Sequence, residues 1–220
     1  MTLAEENYLK GIFHLQRETK GEVSTNAIAE DMQTQPSSVT DMIKKLSDKG
    51  LLLYKKYKGV QLTELGRQKA SLIIRKHRLW EVFLVDKLHF YWDEVHEIAE
   101  QLEHVQSDAL INRLDAYLGY PNFDPHGDPI PDKNGNWTVR EKISLKNAEI
   151  GTRYICVGVK DTQQEFLRYL DKKNIQIGVE MIVMNKEFDD SMEIQISDTV
   201  IFISSFVAEN IYVQEKLDRN

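Results

Sequence analysis

Cysteine is almost absent from this chain: of 220 residues only Cys156 carries a thiol. An intrachain disulfide is therefore excluded, and a reducing compartment is the natural setting. Cys156 lies in the apolar run YICVGV and reads as a buried structural thiol. Long hydrophobic runs are also missing, and nothing approaches the roughly 18 apolar residues that span a bilayer. The start, MTLAEENYLK, has neither the basic head nor the apolar core of a signal peptide. No membrane partner is expected, and the location is read as cytoplasmic. Proline is scarce too, and four of the five lie between residues 120 and 138, in YPNFDPHGDPIPDKNGNWT. That stretch reads as an extended, fairly stiff linker.

Positive charge is in deficit overall, with a net −7. Its distribution matters more than its sum. Residues 1–80 hold 14 Lys+Arg against 9 Asp+Glu, and the remainder holds 14 against 26. The first part can meet phosphate while the rest repels it, which suggests an oriented DNA contact.

The first part also has the pattern of a DNA reader. A helix is expected over 4–18, and Ser24 can cap a short one, TNAIAEDM. After QTQP, with Pro36 suited to a first turn, SSVTDMIKKLSDKG reads as a recognition helix that stops at Gly50. LLLYKKYKGVQLT reads as a β-hairpin turning near Lys58-Gly59, the wing of a winged helix-turn-helix. Ser37, Ser38, Thr40, Asp41, Lys44 and Lys45 on the recognition helix, with Lys55, Lys56 and Lys58 on the wing, are the candidate DNA contacts. Short hydroxyls reach base edges and phosphates, whereas lysines mostly meet phosphate. The competing reading is an ordinary polar face that binds protein.

Thr63 can cap a long helix to about 88, Asp93 the next and Ser107 a third. Apolar residues such as Val95, Ala99, Leu110, Ile111 and Leu114 exceed what such short helices bury alone, which suggests a dimer. From about 144 the pattern changes to short β runs, TRYICVGV, GVEMIVMN, MEIQI and TVIFIS, interrupted by a helix-like QEFLRYLDKK, as in a small barrel. The expected class is α+β: a winged helix over 1–63, a helical metal-binding and dimerisation domain over 64–120, a linker over 121–143, and an SH3-like barrel over 144–220.

The helical part concentrates metal-ligand chemistry. His77 and Glu81 stand one turn apart in RKHRLWE. His96, Glu100, Glu103 and His104 in VHEIAEQLEHV fall within an arc of roughly 100° on a helical wheel. A lone Glu–His pair is usually a solvated face, but six such residues on two neighbouring helices favour a site. A thiolate-free, carboxylate-rich set suits Mn²⁺ better than Zn²⁺, with Fe²⁺ as the alternative. Asp124 and His126 in FDPHGDP read first as loop surface, and Asp161 and Gln164 in VKDTQQ are weaker candidates still.

Taken together, ENYLKGIFHL, IAEDMQTQPSSVTDMIKKL, RKHRLWEVFLV, VHEIAEQLEHVQSDALINRLDAYLG and PHGDPIP resemble the diphtheria-toxin-repressor family of metal-dependent repressors. IGTRYICVGVKD and NIQIGVEMIV look like the FeoA-like domain of its longer, manganese-responsive members. The resemblance implies two metal sites. His77, Glu81 and His96 match an ancillary one, with Asp161 and Gln164 as candidates to complete it. Glu100, Glu103 and His104 match the primary, activating one. Asp124 stands where some relatives have a cysteine ligand. Asn7 replaces the family's helix-1 ligand, and Lys10 replaces a second helix-1 acid; Glu6 falls elsewhere on the wheel. The expectation is a homodimeric, Mn²⁺-activated repressor of metal-uptake genes on palindromic double-stranded operators, with no small-molecule substrate. A regulator answering to Fe²⁺ or an organic ligand is the alternative. A carboxylate-bridged metalloenzyme would need a second Glu-x-x-His, which is lacking.

Overall fold

The computed structural model describes residues 1–55 and 59–216. The chain divides into two compact units. One comprises residues 1–80, 99–119 and 130–137; the other comprises 81–98, 120–129 and everything from 138 on.

The first unit begins with α1 (Leu3–Thr19), opened by a capping box in which Thr2 and Glu5 satisfy each other's backbone N–H. Ser24 caps α2 (Thr25–Asp31), and α3 (Pro36–Asp48) starts on its proline. Gly50 follows α3 at φ 69°, a backbone setting that favours glycine. Strands β1 (Leu52–Lys55) and β2 (Gly59–Leu62) pair antiparallel, and Val23 adds a bridge to Val60. This is the expected winged helix; residues 56–58, where the sequence suggests the hairpin turns, lie outside the described residues. Leu9, Ile12, Ile28, Val39, Ile43, Leu46, Leu52 and Leu62 form its core. Thr63 caps α4 (Glu64–Leu88) through the Gly66 N–H at 3.0 Å, and Ser107 caps α6 (Asp108–Tyr117). Arg75 ties α4 to α6 through Asp115 (2.8 Å) and Asn112 (3.3 Å). Ile111 and Leu114 are buried within the chain, while Leu110 and Tyr117 of α6 remain exposed.

Two expectations are corrected here. Asp93 does not cap α5 (Val95–Leu102): the helix starts two residues later, and Asp93 accepts from Arg168 Nε at 2.8 Å. Nor is the proline-rich stretch a solvated spacer. In the first unit Ile130 and Pro131 are buried, and Trp137 stacks on Phe13 at 5.4 Å and 14° while its Nε1 donates to Ser71 Oγ. Arg17 and Arg78 lie over the same indole at 5.2 and 5.5 Å.

The second unit is built on a six-stranded antiparallel sheet. Its strands are β3 (Ile143–Ser144), β4 (Arg153–Val159), β5 (Glu180–Lys186), β6 (Met192–Ile196), β7 (Thr199–Ile203) and β8 (Ile211–Glu215). Their order is β3-β8-β4-β5-β6-β7, so among the described residues the pairing does not close into a ring. Helix α7 (Gln164–Lys172) lies between β4 and β5 in the chain, and α8 (Ser205–Glu209) between β7 and β8. Phe166, Leu167 and Leu170 of α7 cover inward residues such as Cys156, Val183, Ile194 and Val213. Burial pushes the Cys156 thiol up to about 11, so it is inert core, as its apolar run implied. Strand β8 alternates Ile211 and Val213 inward, a period-two signal that the sequence reading passed over.

Candidate metal centres and nucleic-acid interface

In the second unit, Glu81, Asp124 and His126 each place a ligand atom within 4.8 Å of the others, and all three are buried. Glu81 comes from α4. Asp124 and His126 come from a tight turn that the sequence alone suggests is surface, yet they are only 7% and 4% exposed. The turn explains their placement. Asp124 Oδ1 accepts the N–H groups of His126 (2.9 Å) and Asp128 (3.0 Å), and the Gly127 N–H donates to the Asp124 carbonyl. Val159 N–H then donates to the His126 carbonyl and docks the turn on β4. His126 Nε2 donates to the Trp92 carbonyl at 2.9 Å, and the Trp92 indole stacks over the ring at 6.0 Å. That bond fixes the ring so that Nδ1 faces Glu81 Oε2, 3.8 Å away.

Burial alone lowers the affinity of His126 for a proton. The hydrogen bond and charge of Glu81, the charge of Asp124 and the Trp92 carbonyl outweigh it and lift the imidazole to about 9. The two buried carboxylates thus favour positive charge beside them. Two carboxylates and an imidazole, without thiolate, fit a divalent ion of the Mn²⁺ or Fe²⁺ kind. His96 stands at the rim, 59% exposed, with Nδ1 3.7 Å from Glu81 Oε1. Among the described residues Asp161 does not join this set. Asp161 Oδ1 accepts the Gln163 N–H instead, and Gln164 opens α7 on an exposed face.

The second acidic set lies in the first unit. His77, one turn before Glu81 on α4, has Nδ1 2.7 Å from Glu103 Oε2. The Lys10 ammonium lies between Glu100 and Glu103, donating to Glu100 Oε1 and to both Glu103 oxygens, the latter at 2.7 Å. Burial would raise Glu103, but the His77 hydrogen bond and the Lys10 charge hold it below the usual carboxylate range. His104 Nδ1 is 2.8 Å from Glu6 Oε2, and Gln106 Nε2 donates to the other Glu6 oxygen. Glu6 is therefore turned into this cluster, against its wheel position. Asn7 Oδ1 is buried with no hydrogen-bond partner. The sequence reading missed these roles of Lys10, Glu6 and Gln106, although Glu6 and Lys10 are one turn apart on α1.

On α3, Ser37, Ser38, Thr40, Asp41, Lys44 and Lys45 are all exposed. The Thr40 hydroxyl donates to the Pro36 carbonyl at 2.9 Å, which leaves its lone pairs to accept. Lys45 and Lys49 converge on buried Glu5 at 2.9 and 2.8 Å, and Lys55 pairs with Glu22 at 3.3 Å. Lys56 and Lys58 lie outside the described residues. The Lys49 and Lys45 hydrogen bonds, then the Thr2 N–H, lower the Glu5 carboxyl from 4.5 to about 2. A depressed carboxyl stabilises the fold above its unfolded value and loses that contribution as pH falls through its folded value. Glu5→Gln is therefore expected to lower the urea midpoint at pH 7, with the gap to wild type closing between about pH 4.5 and 2. A gap that persists at pH 2 would exclude this ion pair as its source.

Three family models together account for most of the chain. They are the iron dependent repressor N-terminal DNA binding domain (residues 1–60), the iron dependent repressor metal binding and dimerisation domain (63–132), and the FeoA domain (143–215). A solved manganese-dependent transcriptional repressor in complex with manganese is 33% identical, with a TM-score of 0.82 over 96% of this chain and 100% of that one. The chain belongs to the diphtheria-toxin-repressor family. The repressor ScaR with bound Zn²⁺ is 36% identical over 96% of this chain and 99% of that one, with a TM-score of 0.75. The regulator MntR of Listeria monocytogenes matches at 35% over 59% of this chain and 88% of its own length. The iron-dependent repressor IdeR of Mycobacterium tuberculosis matches at 36% over 57% of this chain. The chain spans only about half, 54%, of the length of the IdeR relatives. These relatives of the family member are transcriptional regulators, not enzymes.

Proposed function

We propose that the chain is a Mn²⁺-activated transcriptional repressor that binds palindromic operator DNA of metal-uptake genes as a cytoplasmic homodimer. The observation that carries this reading is the buried Glu81–Asp124–His126 set, two carboxylates and an imidazole, in a chain that also folds a winged helix. A divalent ion, when bound, would balance the charge of those carboxylates. Everything else is done by the chain. The Asp124 turn presents two ligands, Trp92 holds the His126 ring, and Glu81 belongs to the continuous helix that begins at Glu64, directly after the wing. Only an arrangement that binds the ion more tightly than its alternatives can be favoured by it.

On the DNA side, α3 enters the major groove with Ser37, Ser38, Thr40 and Asp41 toward base edges, and Lys44, Lys45 and Lys55 toward phosphates. Exposed Leu110 and Tyr117 on α6 support a dimer interface there. The matched spans support domain limits near residues 63 and 143, and the FeoA match supports an SH3-like reading of the C-terminal sheet. No described helix is long and apolar enough to cross a membrane.

The test is fluorescence anisotropy on a palindromic operator upstream of a metal-uptake gene, titrating Mn²⁺, anaerobic Fe²⁺ and Zn²⁺ against chelator. Binding only with metal, strongest with Mn²⁺, is expected; equal binding with chelator overturns the reading. The same assay in rising salt is expected to give a log–log slope of about −5, for roughly six neutralised phosphates. A flat dependence would exclude the lysines as phosphate contacts.

A further inference from the structure

The family's activating set includes Glu100, Glu103 and His104, yet the residues gathered there do not fit an ion. Lys10 Nζ already lies within hydrogen-bond reach of both carboxylates, touching Glu100 Oε1 and both oxygens of the fully buried Glu103. The remaining edge of Glu103 is taken by His77 at 2.7 Å. His104 is engaged by Glu6, and Glu6 in turn by Gln106 and, at 3.8 Å, by Lys76. The residue left over, Asn7, is neutral. A divalent ion placed between these carboxylates would sit against an ammonium in a pocket with little water to screen them. The Lys10 stem is itself mostly covered, its side chain 14% exposed, so the charge is not free to swing away at no cost.

We infer that Lys10 is a built-in counter-cation for this set, tying α1 to Glu100 of α5 and to Glu103 in the turn just after it, without metal. This goes beyond the proposed function and narrows it: the regulatory ion is then read in the second unit, at Glu81, Asp124 and His126. The tether between α1 and α5, which elsewhere in such a design an ion could make, is here permanent. It is made of one ammonium and two carboxylates on elements of the first unit.

Two measurements on the full chain test it. The first is equilibrium dialysis against Mn²⁺ with the bound ion counted by mass spectrometry. Glu103→Gln is expected to leave the wild-type stoichiometry unchanged, and Lys10→Glu to add one ion per subunit, because it converts a counter-cation into a ligand. Loss of an ion in Glu103→Gln, or no gain in Lys10→Glu, overturns the inference. The second measurement is hydrogen exchange of α1 in chelator. The neutral Lys10→Gln is expected to raise α1 exchange at least about tenfold while leaving β4 and β8 protected, a local rather than global loss. Unchanged α1 exchange overturns the tether. This arm needs no metal, so it stands or falls separately from the Mn²⁺ reading.

Discussion

Glu81→Gln and His126→Ala are each expected to weaken Mn²⁺ binding by at least about 100-fold, a larger effect than loss of an outer-shell partner, and to remove metal-activated operator binding at any Mn²⁺ concentration that saturates wild type. The geometry argues for so large an effect. Glu81, Asp124 and His126 are the fully buried ligand set found among the described residues of that unit, whereas His96 stands at the rim, 59% exposed. Glutamine at 81 keeps the shape and removes a charge, so the fold should persist. Its signature would be a loss of ion affinity with an unchanged melting curve in chelator. His126→Ala also frees the Trp92 carbonyl and removes the stacked ring, so a modest loss of stability accompanies it. Dialysis with Mn²⁺ and operator anisotropy read the two halves of the prediction. If both variants still activate with metal, the activating ion belongs to the Glu100–Glu103–His104 set, and the family's usual ranking holds here after all.

His96→Ala provides an internal scale for that experiment. Its imidazole approaches Glu81 from an exposed position, so its removal should cost about tenfold or less in ion affinity. A loss as large as at Glu81 would make the rim position a full ligand and would widen the set beyond the three buried residues.

The winged helix was legible because its local signals agree with its packing. Ser24, Pro36, Gly50, Thr63 and Ser107 each sit where a cap or turn needs them, and each is used so in the structure. The acidic face of α5 was legible as chemistry but not as geometry. Helical spacing places Glu100, Glu103 and His104 on one face, yet it says nothing of which residue from α1 arrives opposite them. That residue is Lys10, and only tertiary packing could bring it there across ninety positions. The 120–137 stretch was misread for a related reason. Proline and glycine mark where regular structure stops, and they say little about burial. The buried Asp124, His126 and Ile130, and the stacked Trp137, belong to segments docked by backbone hydrogen bonds and ring contacts that leave no periodic trace. The barrel reading followed strand number and spacing, whereas closure depends on whether β3 and β7 pair, which no sequence period reports.

Gly127→Ala is expected to be the most damaging single-atom change near the ion set. Gly127 has φ 85°, and an added Cβ would lie 2.1 Å from the Val157 carbonyl oxygen and 2.5 Å from the Gly158 Cα, both backbone atoms of β4. Neither can move without disturbing the ladder between β4 and β8, which already carries an irregularity between Cys156 and Gly158. The turn must therefore lift away from the sheet, and with it go the Val159–His126 backbone bond and the placement of Asp124 and His126. The left-handed setting alone costs an alanine of order 1 kcal/mol or more. Clash and lost backbone pairing bring the expected destabilisation to about 3 kcal/mol. Urea unfolding followed by far-ultraviolet circular dichroism reads the stability. Mn²⁺ affinity should fall about tenfold or more in parallel, because two ligands share the displaced turn. Gly119→Ala is the control: it has a similar φ of 77° but nothing within 4 Å of an added Cβ. It should show only the conformational cost and keep the ion. If the two variants behave alike, the close approach of the turn to β4 is not what positions Asp124 and His126.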